Sequence, residues 1–582
     1  MKLTKALLAV IAVLLCVAAN ANAQTVAMNG IGSSALFLEM GQAAALSPAI
    51  GASCVWTHAS SGGASALDGR AGVPGPEGGQ IWIAWQPGSG TCAAPAGTYN
   101  IYSYLQTDST VGNRCVFAAP ACTLTLSSTF VHTGGANLLA PVVDITTAAG
   151  GLPASIQAAL NGAAMNVAGT DIRPEDAKFA TIRALTDCGV PVNGVAGSQY
   201  LGLGYAVTSG SHIGKPINGS SLGGGSSFNV VDFNLTGTDP ISGGAVPTFS
   251  VFDVGAVPVV VFVNPANVNG LGSILVQNVT RGVLAGFLDG TYGRASDLIN
   301  QTYVVGSGAS NVLTTVFVRE PLSGTYNTME YSVPNNTQLQ TSQDVGLNSP
   351  VGIDPGSKNC LGASVNQNPL QDTVLRATAG GSSGRYRSIG TGNEVAAVLT
   401  HTDSLGYSFW GTGNFKNASA LNAKYLTVDG VDPLQQVWTD GLVPTAGNGL
   451  LGNVSFANVK NGSYPIWSKL RLAATPTGAA GASALATAAQ SYVSPQQPDF
   501  VPINQLLVVR SHFAPPYNSG SVYNGAFPSS ATNQPANGTS VCNTGSTPEA
   551  GGDVGGLVYP LQSDGDFCSD SGSAFGQIGR RQ

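Results

Sequence analysis

Thr25-Val26-Ala27-Met28, Gly30-Ile31-Gly32-Ser33-Ser34 and then Leu36 to Ala45 read in order as a strand, a glycine loop and a helix. A similar unit is expected next, with Cys54-Val55-Trp56-Thr57 as a strand ahead of Ser60-Ser61-Gly62-Gly63-Ala64. Outward from there the pattern returns several times. Ser155 to Leu160 is helical in pattern and leads to Asn166-Val167-Ala168-Gly169-Thr170-Asp171. Ala256 to Val263 is apolar on both faces, as a central buried strand requires. Strand-like Val312 to Val318 runs into Arg319-Glu320-Pro321-Leu322-Ser323-Gly324-Thr325 and a helix. Asn393 to Thr400 is helical, and Gly406 to Trp410 and Ile466 to Leu472 are strands. Strands alternating with helices predict an α/β protein with mainly parallel pairing. No repeat of fixed period is present.

Two stretches break this texture. From about residue 72 to 150 the chain is rich in Gly, Pro, Thr and Cys, with short β-like runs such as Gln80 to Trp85. It is expected to be a β-rich insertion pinned by disulfides and peripheral to the α/β units. After Pro515 the chain is rich in Gly, Ser and Asn, and is expected to form a loop-rich C-terminal extension.

The first residues read as an export signal rather than as part of the fold. Lys2 and Lys5 precede an apolar run from Ala6 to Ala19, and Ala21-Asn22-Ala23 offers small residues for cleavage before Gln24. Leu15 directly before Cys16 makes a poor lipoprotein signal. No later stretch approaches the roughly 20 apolar residues a membrane helix needs. Loss of the leader removes Cys16 of nine cysteines, leaving Cys54, Cys92, Cys115, Cys122, Cys188, Cys360, Cys542 and Cys568. An even count in an exported chain favours disulfides, whose pairing the sequence leaves open among roughly 105 arrangements. Cys542 and Cys568 would close a cheap loop. No CxxC pair occurs and the five histidines are scattered, so neither a metal nor a cofactor is expected.

Charged residues make up 9% of the chain, against roughly 25% in ordinary soluble domains. The net charge is −7, and loss of Lys2 and Lys5 makes it more negative still. A nucleic-acid binder would need a basic face, which this composition denies. An anion site here would have to be local, built from backbone N–H groups and a few cations. Three Gly/Ser loops opening helices could supply such donors: Gly32-Ser33-Ser34-Ala35, Ser60-Ser61-Gly62-Gly63 and Ser323-Gly324-Thr325. Each alone reads more readily as an ordinary turn or cap than as a ligand loop. Read locally, Asp171 is a turn or helix-start residue before Pro174, Arg319 a surface cation beside Glu320, and Ser60 a cap. Gly380-Gly381-Ser382-Ser383-Gly384 satisfies GxSxG but has no strand before it, so a nucleophile elbow is not expected, nor is an enzyme.

In their order, these segments resemble the periplasmic phosphate-binding proteins of ABC transporters. Gly30 to Ser34 and Ser60 to Gly63 are similar to that family's first two loops, and Ala168-Gly169-Thr170-Asp171 to its acid-bearing third. Asn278 to Phe287 is similar to the helix before its F-x-G-x-x-x-W stretch, with the Trp missing. Val316-Phe317-Val318-Arg319 with Ser323-Gly324-Thr325 is similar to its arginine-to-SGT segment. Gly390-Thr391-Gly392-Asn393 and Leu405-Gly406-Tyr407 resemble its GxGN and IGY elements. Ala35 stands where the family often has an aromatic residue. Pro321 and Leu322 fill a gap where it commonly has an acid, which leaves Arg319 to be oriented by Glu320 or to be held less firmly.

The resemblance implies a two-lobed type II periplasmic-binding-protein fold. Residues 1–23 would be the signal, 24–267 lobe 1 with its insertion, 268–462 lobe 2, 463–514 a return to lobe 1, and 515–582 the extension. Chain crossings are expected near Asn264–Asn267 and Asn461–Pro465. It implies capture of hydrogen phosphate by Ser34, Ala35, Ser60 and Asp171 from one lobe and Arg319, Ser323, Gly324 and Thr325 from the other. Partners would be inorganic phosphate and ABC transporter membrane subunits, in the periplasm or outside the cell. The alternative is an extracellular structural, surface or filament-forming protein that reuses the fold and self-assembles on the cell surface.

Overall fold

The computed structural model describes residues 24–57, 81–117, 121–127, 142–144, 151–171, 249–267, 271–273, 276–289, 292–298, 312–319, 323–333, 373–377, 384–388, 391–416, 418, 423–435, 440–491, 498–512 and 555–560. β1 (Gln24–Ser33) passes through a 3-10 turn (Ser34–Leu36) into α1 (Phe37–Leu46). β2 (Cys54–Thr57), β3 (Ile81–Trp85), β4 (Tyr99–Thr107) and α2 (Ser109–Phe117) follow. Then come β5 (Thr125–Ser127), β6 (Val142–Asp144), α3 (Ala154–Leu160), β7 (Val167–Thr170) and the long β8 (Ser250–Asn264). Beyond it lie β9 (Asn278–Val279), α4 (Arg281–Asp289), β10 (Thr315–Arg319), α5 (Gly324–Ser332), β11 (Thr373–Ala377), β12 (Gly384–Ser388), α6 (Thr391–Thr400) and β13 (Ser404–Phe409). The chain continues through β14 (Lys424–Tyr425), β15 (Thr427–Val428), α7 (Ala457–Lys460), β16 (Trp467–Ala474), α8 (Ala479–Ser491) and β17 (Val501–Pro502). It closes on the pair β18 (Val508–His512) and β19 (Gly555–Pro560).

A single hydrogen-bonded path orders the main strands β11-β12-β10-β13-β8-β16-β7-β1-β4-β3-β2, with β14 and β17 also on β8. β8 is the hinge of this arrangement. Its residues Ser250 to Pro258 pair with β16, and Val259 to Asn264 pair with β13. Proline has no N–H to give a ladder, so Pro258 falls where a strand can change partners. Its carbonyl accepts from Trp410 N, and Val259 N donates to Ile466 O, so the two incoming chain segments meet β8 at that point. The chain thus changes partner within β8.

The apolar run Val257, Val259, Val260, Val261, Phe262 and Val263 is buried. At about 1.5–3 kcal/mol per large apolar side chain removed from water, this strand anchors both halves of the core. Trp410 stacks on Phe415 beside it, and Phe415 meets Phe262 edge-on. Around β1 the core is Met28, Ile31, Leu36, Met40, Trp82 and Tyr104.

The sheet is mixed, which corrects the expectation of mainly parallel pairing. Parallel pairing joins β4, β1 and β7 in one half and β12, β10 and β13 in the other. The remaining pairs of the path are antiparallel. A parallel pair needs a crossover of a dozen or more residues, usually a helix. β3 and β4 are joined by a loop without one, and β16 returns from the far half, so both run against their neighbours.

The stretch at 72–150 also differs from its reading as a peripheral insertion. β3 and β4 lie in the main sheet, β4 directly beside β1, and α2 follows them. The composition misleads because disulfides and turns surround these strands. Cys54 at the start of β2 bridges to Cys92 in the β3–β4 loop, and Cys115 in α2 bridges to Cys122. The leader, Cys188, Cys360, Cys542 and Cys568 lie outside the described residues. No helix among the described residues is long and apolar enough to cross a membrane.

Candidate functional site

In open α/β sheets a ligand cleft forms at the carboxyl ends of parallel strands, where helices begin. Here the ends of β1, β4 and β7 deliver Ser34, Asp108 and Asp171, and the end of β10 delivers Arg319. Ser323 and Thr391 lie at the starts of α5 and α6. All of these except Ser34 are at least nine-tenths buried.

Close backbone approach makes the convergence possible. A Cβ on Gly32, whose φ is +140°, would strike the Gly169 backbone of β7. The Tyr104 hydroxyl donates to Ser33 O at 2.7 Å, tying β4 to the end of β1. Asn113 Nδ2 donates to Thr170 Oγ1 at 3.1 Å, tying α2 to β7. The Asp108 carbonyl accepts from Gly112 N at 2.8 Å, which makes Asp108 the capping residue of α2.

Arg319 is the cation of the cluster and is 1% exposed. Its backbone N–H donates to the Tyr407 hydroxyl at 3.1 Å. Nη1 donates to Thr391 Oγ1 at 2.6 Å and to Thr325 Oγ1 at 3.4 Å. Nη2 lies 3.2 Å from Asp108 Oδ1. Ser34 Oγ is 3.2 Å from Thr391 Oγ1. The β1, β4 and β10 ends and the α6 start are therefore linked through side chains.

Asp171 faces Arg319 across the cluster. The Ser109 hydroxyl donates to its Oδ1, and its own N–H donates to Ser109 Oγ at 3.4 Å. Oδ2 is fully buried and has no protein partner among the described residues. The Gly324 Cα packs against this carboxyl so closely that a Cβ there would overlap it. Burial pushes the carboxyl up from 3.8 to about 7, against the lowering pull of its own N–H and of the Arg319 and Arg471 guanidiniums. The same burial, with the Asp171 charge nearby, pushes the Tyr104 phenol well up. Arg471 comes from β16, opposite Thr170, and lies with Lys469 against Asp253.

The structure brings together Ser34, Asp171, Arg319, Ser323, Gly324 and Thr325 of the residues named from sequence. Ser323 is the N-cap of α5, its hydroxyl accepting from Thr325 N at 3.1 Å. The Ala35 N–H donates to Ser33 Oγ at 3.3 Å, so Ser33 caps the turn where Ala35 was expected to face a ligand. Ser60, Glu320, Pro321 and Leu322 lie outside the described residues. β2, read as the strand of a second strand–loop–helix unit, is antiparallel to β3 at the end of the sheet path. The second parallel strand is instead β4. Its carboxyl end brings Asp108 and Ser109, which the sequence reading missed, and α6 brings Thr391. The signal for Asp108-Ser109 was a β-run, Tyr99 to Thr107, ending in two good capping residues.

No family model matches the chain, and no curated protein matches it. Solved structures do. One is a phosphate-binding protein from Stenotrophomonas maltophilia, 14% identical, with 70% of this chain and 98% of that one covered and a TM-score of 0.28. Another is an ABC-type phosphate transport receptor from Vibrio cholerae, 14% identical, with 42% and 68% covered and a TM-score of 0.24. At these values the functional reading rests on the side chains of the cleft.

Proposed function

We propose that this chain captures a tetrahedral oxyanion, hydrogen phosphate, between two lobes. The observation that carries the reading is a buried arginine, Arg319, set among the starts of helices at strand ends, opposite a buried carboxyl one of whose oxygens has no protein partner among the described residues. The guanidinium suits two oxygens of such an anion. The hydroxyls of Ser34, Ser109, Thr325 and Thr391 and the first-turn N–H groups of α2, α5 and α6 serve the others. Ionised Asp171 is an acceptor only, so it accepts the P–OH of hydrogen phosphate and opposes an anion that has no proton to offer.

The rest of the reading follows from that site. The lobes are residues 24–267 and 268–462, with 463–514 returning to the first and 515–582 an extension. The chain is exported to the periplasm or beyond and works as a solute-binding component beside ABC transporter membrane subunits, without catalysis. Calorimetric titration of the full chain with inorganic phosphate, with sulfate as competitor, tests it. Saturable phosphate binding that sulfate does not displace supports the reading. A folded chain that binds neither anion removes it and leaves a structural surface protein in its place.

A further inference from the structure

Asp108 is the acid that neither the motifs nor the oxyanion reading uses. It stands at the carboxyl end of β4, with its Oδ1 3.2 Å from Arg319 Nη2 and its side chain 7% exposed. The guanidinium expected to hold the anion therefore already faces a carboxylate from the other half of the sheet. Across the cluster Asp171 supplies a second carboxyl, whose Oδ2 has no protein partner among the described residues. Among the groups facing the two acids are Arg319 from β10, Arg471 from β16, the Tyr104 phenol from β4 and the Ser109 hydroxyl from the start of α2. Arg471 and Lys469 are met in turn by Asp253.

We propose that Asp108 is a second specificity-determining acid of the cleft and that, with Asp171, it makes the doubly protonated monoanion, dihydrogen phosphate, the preferred ligand. This rests on the oxyanion reading and deepens it. The physical ground is the pair of acids. Burying a dianion beside two acidic side chains costs more than burying a monoanion there. The hydrogen-bond count agrees. A carboxylate beside a bound oxygen is two acceptors facing each other unless that oxygen carries a proton. Dihydrogen phosphate has two P–OH groups, one for Asp108 and one for Asp171, and keeps two oxygens for Arg319 and the hydroxyls. No bond is made or broken, and both protons arrive with the ligand.

The test is calorimetry of inorganic phosphate on the full chain across pH 5 to 9. Phosphate loses its second proton near neutrality, so wild-type affinity is expected to fall about tenfold per pH unit above that point. Asp108→Asn, which can donate to an unprotonated oxygen, is expected to flatten the fall. Asp108→Ser, smaller and uncharged, is expected to do the same, and thermal melts confirm which variants are folded. A wild-type affinity that is level from pH 6 to 9 overturns the inference even if neither variant folds. A fall that survives unchanged in a folded Asp108 variant overturns it too. In both of these cases phosphate still binds and the oxyanion reading stands. Wild type that binds no phosphate at any pH overturns the oxyanion reading and this inference together.

Discussion

Asp108 and Arg319, 211 residues apart in sequence, meet as a buried ion pair between the end of β4 and the end of β10. Parallel strands in the two halves of the sheet point their carboxyl ends at one place, and this pair marks it. Arg319→Ala should weaken any tetrahedral anion by about 2–5 kcal/mol, because a desolvated charge-assisted contact is lost. It also leaves Asp108 without its cation, so the variant should be less stable than wild type. Arg319→Lys keeps the charge without the fork and should recover part of the affinity only. Titration with phosphate and thermal melts of all three proteins check both effects.

Asp171→Asn should alter selectivity. The amide can donate as well as accept, so phosphate should weaken while sulfate is rejected less. In wild type, sulfate can enter only when Asp171 carries a proton. Its carboxyl sits at about 7, so sulfate binding should strengthen as pH falls toward and below 7 and be lost above it. Competition titrations at pH 5.5 and pH 8.5 should show this for wild type and no such dependence for Asp171→Asn. An Asp171 that is only a turn residue would leave the sulfate response unchanged.

Asp171 also ties stability to pH in the ligand-free chain. A carboxyl raised in the folded state stabilises the fold least when ionised, so its effect is lost as pH rises through the folded value. The move from 3.8 to about 7 sets an upper bound of about 4 kcal/mol on the stability lost between pH 4 and pH 8. Asp171→Asn should remove that loss, seen as a smaller drop in melting temperature between the two pH values. Saturating phosphate should narrow the difference for wild type alone.

Glu39 offers the same logic away from the cleft. It lies in the first turn of α1 and is 1% exposed. Burial, and then the Asp499 charge, push its carboxyl well up, against the lowering pull of the Asp499 backbone N–H. Ionised Glu39 therefore costs stability as pH rises. Glu39→Gln should raise stability by about 1–3 kcal/mol in alkaline solution, the scale of the hydration a buried polar group loses. It should matter little in acid. Denaturant melts at pH 4.5 and pH 8.5 separate the two.

Gly324→Ala tests the closeness of the halves. A methyl there would overlap the Asp171 carboxyl, so the start of α5 could not stay in place. Phosphate affinity should drop by at least tenfold while the far-UV circular dichroism stays native. Undiminished binding would mean that Gly324 and Asp171 stand apart when the anion is held.

Much of the local structure was legible in the sequence because it is decided locally. The Val257–Val263 run can only be a buried strand. Ser323-Gly324-Thr325 opens a helix because a serine cap precedes residues that can turn. Arg319 and Asp171 were singled out because their segments, taken in order, resemble those of periplasmic phosphate-binding proteins. The partners were not legible. That Asp108 meets Arg319 depends on β4 lying parallel beside β1, a pairing made across residues far apart in the chain. The same pairing makes Asp108-Ser109 the second strand end of the cleft, although its composition resembles an insertion. Pro258 sets where β8 changes partners only because β13 and β16 arrive on either side of it. Periodicity and capping are properties of a few neighbouring residues, so the sequence by itself determined the elements and their chemistry. Charge pairing and burial depend on what the fold packs together, so only the tertiary structure decided which acid faces the arginine and which carboxyl loses its water.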